Sequence, residues 1–139
     1  MWVDGRLILA SQTWRGRQAF SLPGGCVNRD EAVTEALVRE VVEETGISVT
    51  PGPLLYVAEF VNSIRSHDLE MIFLAEPEGV PRLNGFCAID LLGGERPEVR
   101  PPVLDQIARD AASGYCETPR WLGNLWRTAH HHEEIPVST

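Results

Sequence analysis

The sequence predicts an α/β (α+β) protein, one domain over residues 1–139 in which two helices accompany a set of mostly short strands. Apolar runs of strand length recur at 6–11, 19–22, 54–62, 69–75 and 86–91, separated by turn residues or polar loops. Two longer segments, near 29–45 and 101–113, repeat their apolar residues at helical spacing instead. A chain of 139 residues with 43% hydrophobic content suffices for one core, and no internal repeat or low-complexity linker divides it.

Taken in order, Asp4-Gly5 is a turn signal, and Leu7, Ile8 and Leu9 make Arg6 to Ser11 a strand. Gln12 to Gln18 reads as a loop carrying Trp14, Arg15 and Arg17, followed by a short strand from Ala19 to Leu22. Arg15 and Arg17 are candidates for holding a phosphate and Trp14 for stacking on a base; surface arginines and a half-buried tryptophan are the plainer alternative.

The first helix is expected to start near Arg29 or Asp30, because Asn28 followed three residues later by Glu31 is a capping-box pattern. Gly46 supplies a left-handed stop after Thr45. At 100° per residue, Leu37, Val38, Val41 and Val42 share one arc, which should pack on a sheet. Glu40, Glu43 and Glu44 share another. Three like charges so close repel, by a few tenths of a kcal/mol per pair in an isolated helix, and a divalent cation would reverse the sign. Mg²⁺ is the natural choice, since it takes a few carboxylates together with water and phosphate oxygens. The alternative is a solvated acidic face stabilised by Arg39 alone.

Beyond this helix, Ile47 to Val49 forms a brief strand that Pro51 and Pro53 interrupt. Leu54 to Asn62 and Leu69 to Ala75 alternate as antiparallel strands around the polar loop Ser63 to Asp68. Glu59 shares a face with Leu55, Val57 and Val61, and is read as exposed rather than functional; Arg65 and His67 are read as turn residues. Phe86 to Leu91 is a further strand, and Gly93 to Pro102 a loop. Pro101-Pro102 then opens a helix to about Ser113, with Val103, Leu104, Ile107, Ala108 and Ala111 as its buried stripe. In the tail, Trp121, Leu122 and Trp126 are expected to cover the core or a subunit contact. His130, His131 and His132 belong to a terminal polar run that is expected to be disordered.

A net charge of −8 argues against a surface for nucleic acid polymers, whose binding needs clustered basic residues. All twelve basic residues are arginine. No Schiff-base or P-loop lysine mechanism is therefore open, and any basic phosphate clamp must be arginine. Cys26, Cys87 and Cys116 fit neither a disulfide framework nor a zinc site, which suits a reducing cytosol. No apolar run approaches membrane-spanning length, and Asp4 and Arg6 interrupt the start where a signal peptide needs an apolar core. The expectation is a cytoplasmic protein without membrane partners.

One stretch ties these readings together. Gly25, Glu31, Arg39, Glu40, Glu43, Glu44 and Gly46, with aliphatic Val41 and Ile47, spell Gly, five residues, Glu, seven residues, Arg-Glu-aliphatic-x-Glu-Glu-x-Gly-aliphatic. At average usage of roughly 6% per residue type, seven exact matches at fixed spacing arise on the order of once in 10⁸ windows. The stretch resembles the signature box of the Nudix hydrolases at every position, and Leu22-Pro23-Gly24-Gly25 leads into it.

The resemblance implies an α/β/α sandwich around a mixed β-sheet, with the first strand apparently shortened, since only three residues precede the Asp4-Gly5 turn. An open edge of this kind invites a second copy, hence a possible homodimer. It also implies Mg²⁺-dependent hydrolysis of a nucleoside diphosphate linked to another group, with Mn²⁺ able to substitute. Glu40, Glu43 and Glu44 match the metal-binding positions, with Gly24 beside them in the glycine loop. Arg39 matches an arginine that orients a glutamate, and Glu43 or Glu44 is the choice for the base. Gly25 would let backbone approach the pyrophosphate. Glu31 is either a secondary ligand or only a helix cap. Family members also take a glutamate from a late loop, for which Glu95 and Glu98 are equal candidates.

The box does not name the substrate, a small nucleotide derivative. No proline about fifteen residues beyond it, and no tyrosine slightly further on, marks the subfamilies for ADP-ribose or dinucleoside polyphosphates. The preferred reading is a (d)NTP pyrophosphohydrolase. An ADP-ribose or nucleotide-sugar pyrophosphatase, and a non-catalytic nucleotide-sensing module, are the alternatives.

Overall fold

The computed structural model describes residues 1–61, 67–82 and 84–125. Their elements follow as β1 (Trp2–Val3), β2 (Arg6–Trp14), β3 (Arg17–Ser21), α1 (Val33–Thr45), β4 (Val49–Val61), β5 (His67–Pro77), β6 (Phe86–Ile89), α2 (Leu104–Ser113) and β7 (Arg120–Asn124). Asn62, Arg65, Trp126 and His130 to His132 lie outside the described residues, as does the side chain of Trp14.

β2 is the centre of a four-stranded antiparallel sheet. Leu7 pairs with both Trp2 and Ile89, and Ala10 with both Ser21 and Phe86. β6 therefore takes one edge of β2, while β1 and β3 share the other. β1 has two residues here, returned by Asp4 and Gly5 at φ 49° and 74°. The expected loop at 12–18 is instead a continuous hairpin, β2 running to Trp14 and β3 resuming at Arg17. Arg15 and Gly16, at φ 48° and 75°, form a two-residue turn whose twist matches that of paired strands. A run of polar residues hid the pairing, because such exposed strands carry no apolar alternation.

The second sheet is mixed, in the order β5-β4-β7, with β5 antiparallel and β7 parallel to β4. The sequence breaks β4 at its prolines, but the strand runs through them. Its register with β5 shifts between Pro51 and Leu54, so a bulge absorbs the missing donors. Gly52 belongs there, since a Cβ would lie 2.6 Å from the Leu74 carbonyl oxygen. β7 falls in the part of the chain with least periodicity; it pairs Tyr56 with Arg120 and Val57 with Trp121.

The main core joins both sheets to α2: Leu7, Leu9 and Ile89 meet Leu55, Tyr56, Ala58, Leu104, Ile107 and Ala108. A smaller cluster sits under α1, where Val41, Val49 and Ala75 are joined by Leu37 and Val38. Val42, placed on the packing arc by spacing, is instead 41% exposed. The stripe is turned toward Ala36 and Thr45, both buried. Thr45 tolerates burial because its hydroxyl donates to the Val41 carbonyl at 2.7 Å. Leu122 packs on the core, whereas Trp121 is largely exposed. The three cysteines are free thiols. Among the described residues no helix is long and apolar enough to cross a membrane.

Candidate active site

α1 starts later than the capping pattern predicts. Glu31 Oε1 does accept the Asn28 N–H at 2.7 Å, but this closes a turn before the helix. The helix begins after Ala32, whose N–H donates to Glu35 Oε2 at 2.7 Å, so Glu35 supplies the reaching-back half of a capping box. The turn frees Glu31 from the helix and leaves its carboxylate beside Arg39.

Arg39 then organises the site. Its Nε and Nη2 donate to Glu31 Oε2 and Oε1 at 3.0 and 2.6 Å, a bidentate pair. Nη2 also donates to the Cys26 carbonyl at 3.0 Å, and Nη1 to Glu40 Oε1 at 2.8 Å. Glu43 Oε2 lies 3.5 Å from Nη1. One guanidinium thus ties the glycine loop, the turn before the helix and the first residue of the acidic ridge together. The hydrogen bonds from Arg39 hold the Glu31 carboxyl down at about 2, helped by the Asn28 N–H. Arg39 itself is pushed up, first by Glu31 and then by Glu40.

The glycine loop closes on the other side of the ridge. Gly24, at φ 144°, donates its N–H to Glu44 Oε2 at 2.9 Å. A Cβ at Gly25 would collide with the Glu40 carboxylate, so any larger residue there would displace that side chain. Burial pushes the Glu44 carboxyl up, opposed by the Gly24 N–H and reinforced by the charges of Glu40 and Glu43. The structure therefore brings Gly24, Gly25, Glu31, Arg39, Glu40, Glu43 and Glu44 together.

The other candidates have partners or positions of their own. Arg15 in the hairpin turn and Arg17 at the start of β3 are exposed and do not line the cleft beside the glycine loop. Glu95 accepts the Asp90 N–H at 2.5 Å, and Glu98 pairs with Arg100, a residue of that cleft's lining, at 2.8 Å. The Glu98 carbonyl accepts the Phe20 N–H on β3 at 2.8 Å. His67, expected in a turn, is on β5 with its Nε2 3.3 Å from Glu59 Oε2.

That cleft, of about 630 Å³, is lined by Gly24 and Gly25 and by consecutive residues of β5. Its size is within the range of small-molecule sites. Glu70 is on its wall and was not singled out by motif; its position two residues before Ile72 on an alternating strand was the available signal.

Carboxylates outnumber the cationic partners along the ridge. Arg39 turns to Glu31, Glu40 and Glu43, leaving Glu44 with the Gly24 N–H and two carboxylates as neighbours. Negative charge is in excess there. Among the described residues no group of three or more acidic, histidine or cysteine side chains is arranged to hold a metal ion.

The model of the NUDIX domain matches residues 3–108. This chain belongs to the NUDIX family. A curated relative, Phosphatase NudJ of Escherichia coli strain K12, is 29% identical over 78 residues, 56% of this chain and 51% of that protein. The match thus spans about half the length of the relative. The crystal structure of a MutT NUDIX hydrolase from Burkholderia pseudomallei is 26% identical with a TM-score of 0.65, covering 77% of this chain and 92% of that one. An ADP-ribose pyrophosphatase from Streptococcus suis shares the fold at 19% identity and a TM-score of 0.62, covering 88% of this chain and 92% of that one. The α/β/α sandwich of these NUDIX structures is the fold of this chain.

Proposed function

We propose that this NUDIX protein is a pyrophosphohydrolase: water attacks phosphorus in a nucleoside diphosphate linked to another group, with Mg²⁺ as cofactor and Mn²⁺ able to replace it. The observation that carries the reading is the Arg39 clamp, which holds Glu31 and Glu40 rigid while the glycine loop lies against Glu40 and Glu44. Glycine at the point of contact leaves the Glu40 carboxylate where the arginine holds it.

In this reading Glu40, Glu43 and Glu44, with Gly24 beside them, hold the cation. When bound, it neutralises diphosphate oxygens and makes a coordinated water more acidic. Arg39 keeps Glu40 in register through a charge-assisted bond. Glu43 or Glu44 accepts the proton of the attacking water. Gly25 keeps the loop low enough for phosphate to approach the ridge. Our choice of substrate is a (d)NTP, as the downstream proline and tyrosine of other subfamilies are missing. The same proposal has residues 1–139 acting as one domain in the cytoplasm. It pairs two copies along an open sheet edge, supported by β5 having β4 as its one strand partner among the described residues.

The test is product release from a panel of nucleotides with and without Mg²⁺. A nucleoside triphosphate should give pyrophosphate, and Glu43→Gln should lower turnover by about 10³-fold. If Glu43→Gln matches the parent on the best substrate, the mechanism is wrong; AMP and ribose phosphate from ADP-ribose, without triphosphate turnover, would overturn the substrate.

A further inference from the structure

Glu70 is on the wall of the cleft onto which Gly24 and Gly25 open, yet neither the fold nor the acidic ridge uses it. On β5 it shares the side of Ile72 and Leu74, both packed against the main core. Its register partner on β4 is Ala58, which is buried. Burial pushes its carboxyl up, and the charge of Asp68 adds to this, with no hydrogen bond acting on it among the described residues. Half-withdrawn polar groups are normally satisfied by a partner, and an acceptor left unmet costs free energy. A cleft wide enough for a small molecule is where that partner would arrive.

We infer that Glu70 is a specificity-determining residue of this cleft, its carboxylate accepting hydrogen bonds from two adjacent donors on the nucleoside part of the substrate. The inference rests on the nucleotide reading above. Two oxygens of one carboxylate match two neighbouring donors, as they match the fork of an arginine. Nucleosides offer such a pair in two places. One is the guanine pairing edge, with its ring N–H and exocyclic amine; the other is the ribose cis-diol. The pairing edges of adenine, cytosine and uracil set a donor beside an acceptor and would leave one carboxylate oxygen facing a lone pair.

The test measures kcat/KM for GTP, ITP and dGTP with Mg²⁺, together with calorimetric binding of the corresponding monophosphates, for the full chain, Glu70→Gln and Glu70→Met. ITP lacks the 2-amino group and dGTP lacks the cis-diol. The parent should prefer GTP over one analogue by on the order of tenfold or more, and both variants should bring that ratio close to one. Loss of the GTP-to-ITP preference assigns the base edge, and loss of the GTP-to-dGTP preference assigns the sugar. Ratios unchanged by both substitutions in variants that unfold at the parent temperature overturn the inference, and the hydrolytic reading survives that result. Glu70-dependent binding without turnover does the reverse. Neither turnover nor binding overturns both.

Discussion

Arg39 and Gly25 make opposite contributions to one carboxylate. The arginine holds Glu40 by a 2.8 Å bond, and the glycine withholds the Cβ that would push it away. Gly25→Ala should therefore displace Glu40 while leaving the cores untouched. A shift of about 1 Å at a reacting centre can cost on the order of 10²-fold. We expect a comparable loss of turnover with a change in unfolding temperature of at most a few degrees, measured side by side. Arg39→Met tests the other half. Glu31 is held at about 2 in the fold, below its ordinary 4.5. The clamp therefore stabilises the fold fully above about pH 4.5 and is lost as pH falls toward 2. In Arg39→Met the Glu31 carboxyl should titrate close to its ordinary value in a carbon-detected NMR titration. An unchanged low titration would show that Asn28, not Arg39, sets it. These side chains were legible in the sequence because the box fixes residue type and spacing at once. Glu70 was not, since one carboxylate in an alternating strand looks the same whether it faces water or a cleft.

At the scale of the element, α1 shows how spacing can be right in period and wrong in phase. Counting apolar residues centres the stripe on Leu37, Val38, Val41 and Val42. Ala36 and Thr45 carry little hydrophobic signal, yet both are buried, and they turn the helix so that Val42 faces outward. The same rotation brings Glu44 closer to the packed side, which is why burial raises its carboxyl. A pair of substitutions separates the two valines. Val41→Ala removes methyl groups from a 3% exposed position and should cost about 2 kcal/mol. Val42→Ala, at 41% exposure, should stay within about 0.5 kcal/mol. Urea unfolding of both variants decides it, and equal losses would restore the arc drawn from spacing. The hairpin at Arg15 and Gly16 and the bulge at Pro51 to Leu54 escaped notice for a related reason. Their pairing is carried by backbone conformation and register, to which a polar or proline-containing run gives little clue.

Across the whole molecule, one buried carboxylate joins parts that the sequence left unconnected. Asp110 of α2 is 3% exposed, and its Oδ2 accepts from Tyr56 Oη and Gln106 Nε2 at 2.9 Å each, and from Arg120 Nε at 3.2 Å. Tyr56 is on β4 and Arg120 on β7, so the carboxylate fastens the late parallel strand to the sheet and the second helix. Periodicity marks α2's apolar stripe but cannot say that an aspartate within it is buried, because its partners are far away in sequence. Burial pushes the Asp110 carboxyl up, but the bonds from Gln106, Tyr56 and Arg120 outweigh it and hold it below its ordinary value. A depressed acid stabilises the fold above its unfolded pKa and loses that contribution as pH falls through the folded one. Asp110→Ala should cost roughly 2 to 3 kcal/mol at neutral pH, since it leaves the Tyr56 hydroxyl and the Arg120 guanidinium without their acceptor. The difference from the parent should hold down to about pH 4 and shrink below it, as the parent's own carboxylate takes up its proton. Denaturant midpoints measured between pH 7 and pH 3 give both numbers. A difference that grows as pH falls would mean that Asp110 is neutral in the fold and that its three donors are held some other way.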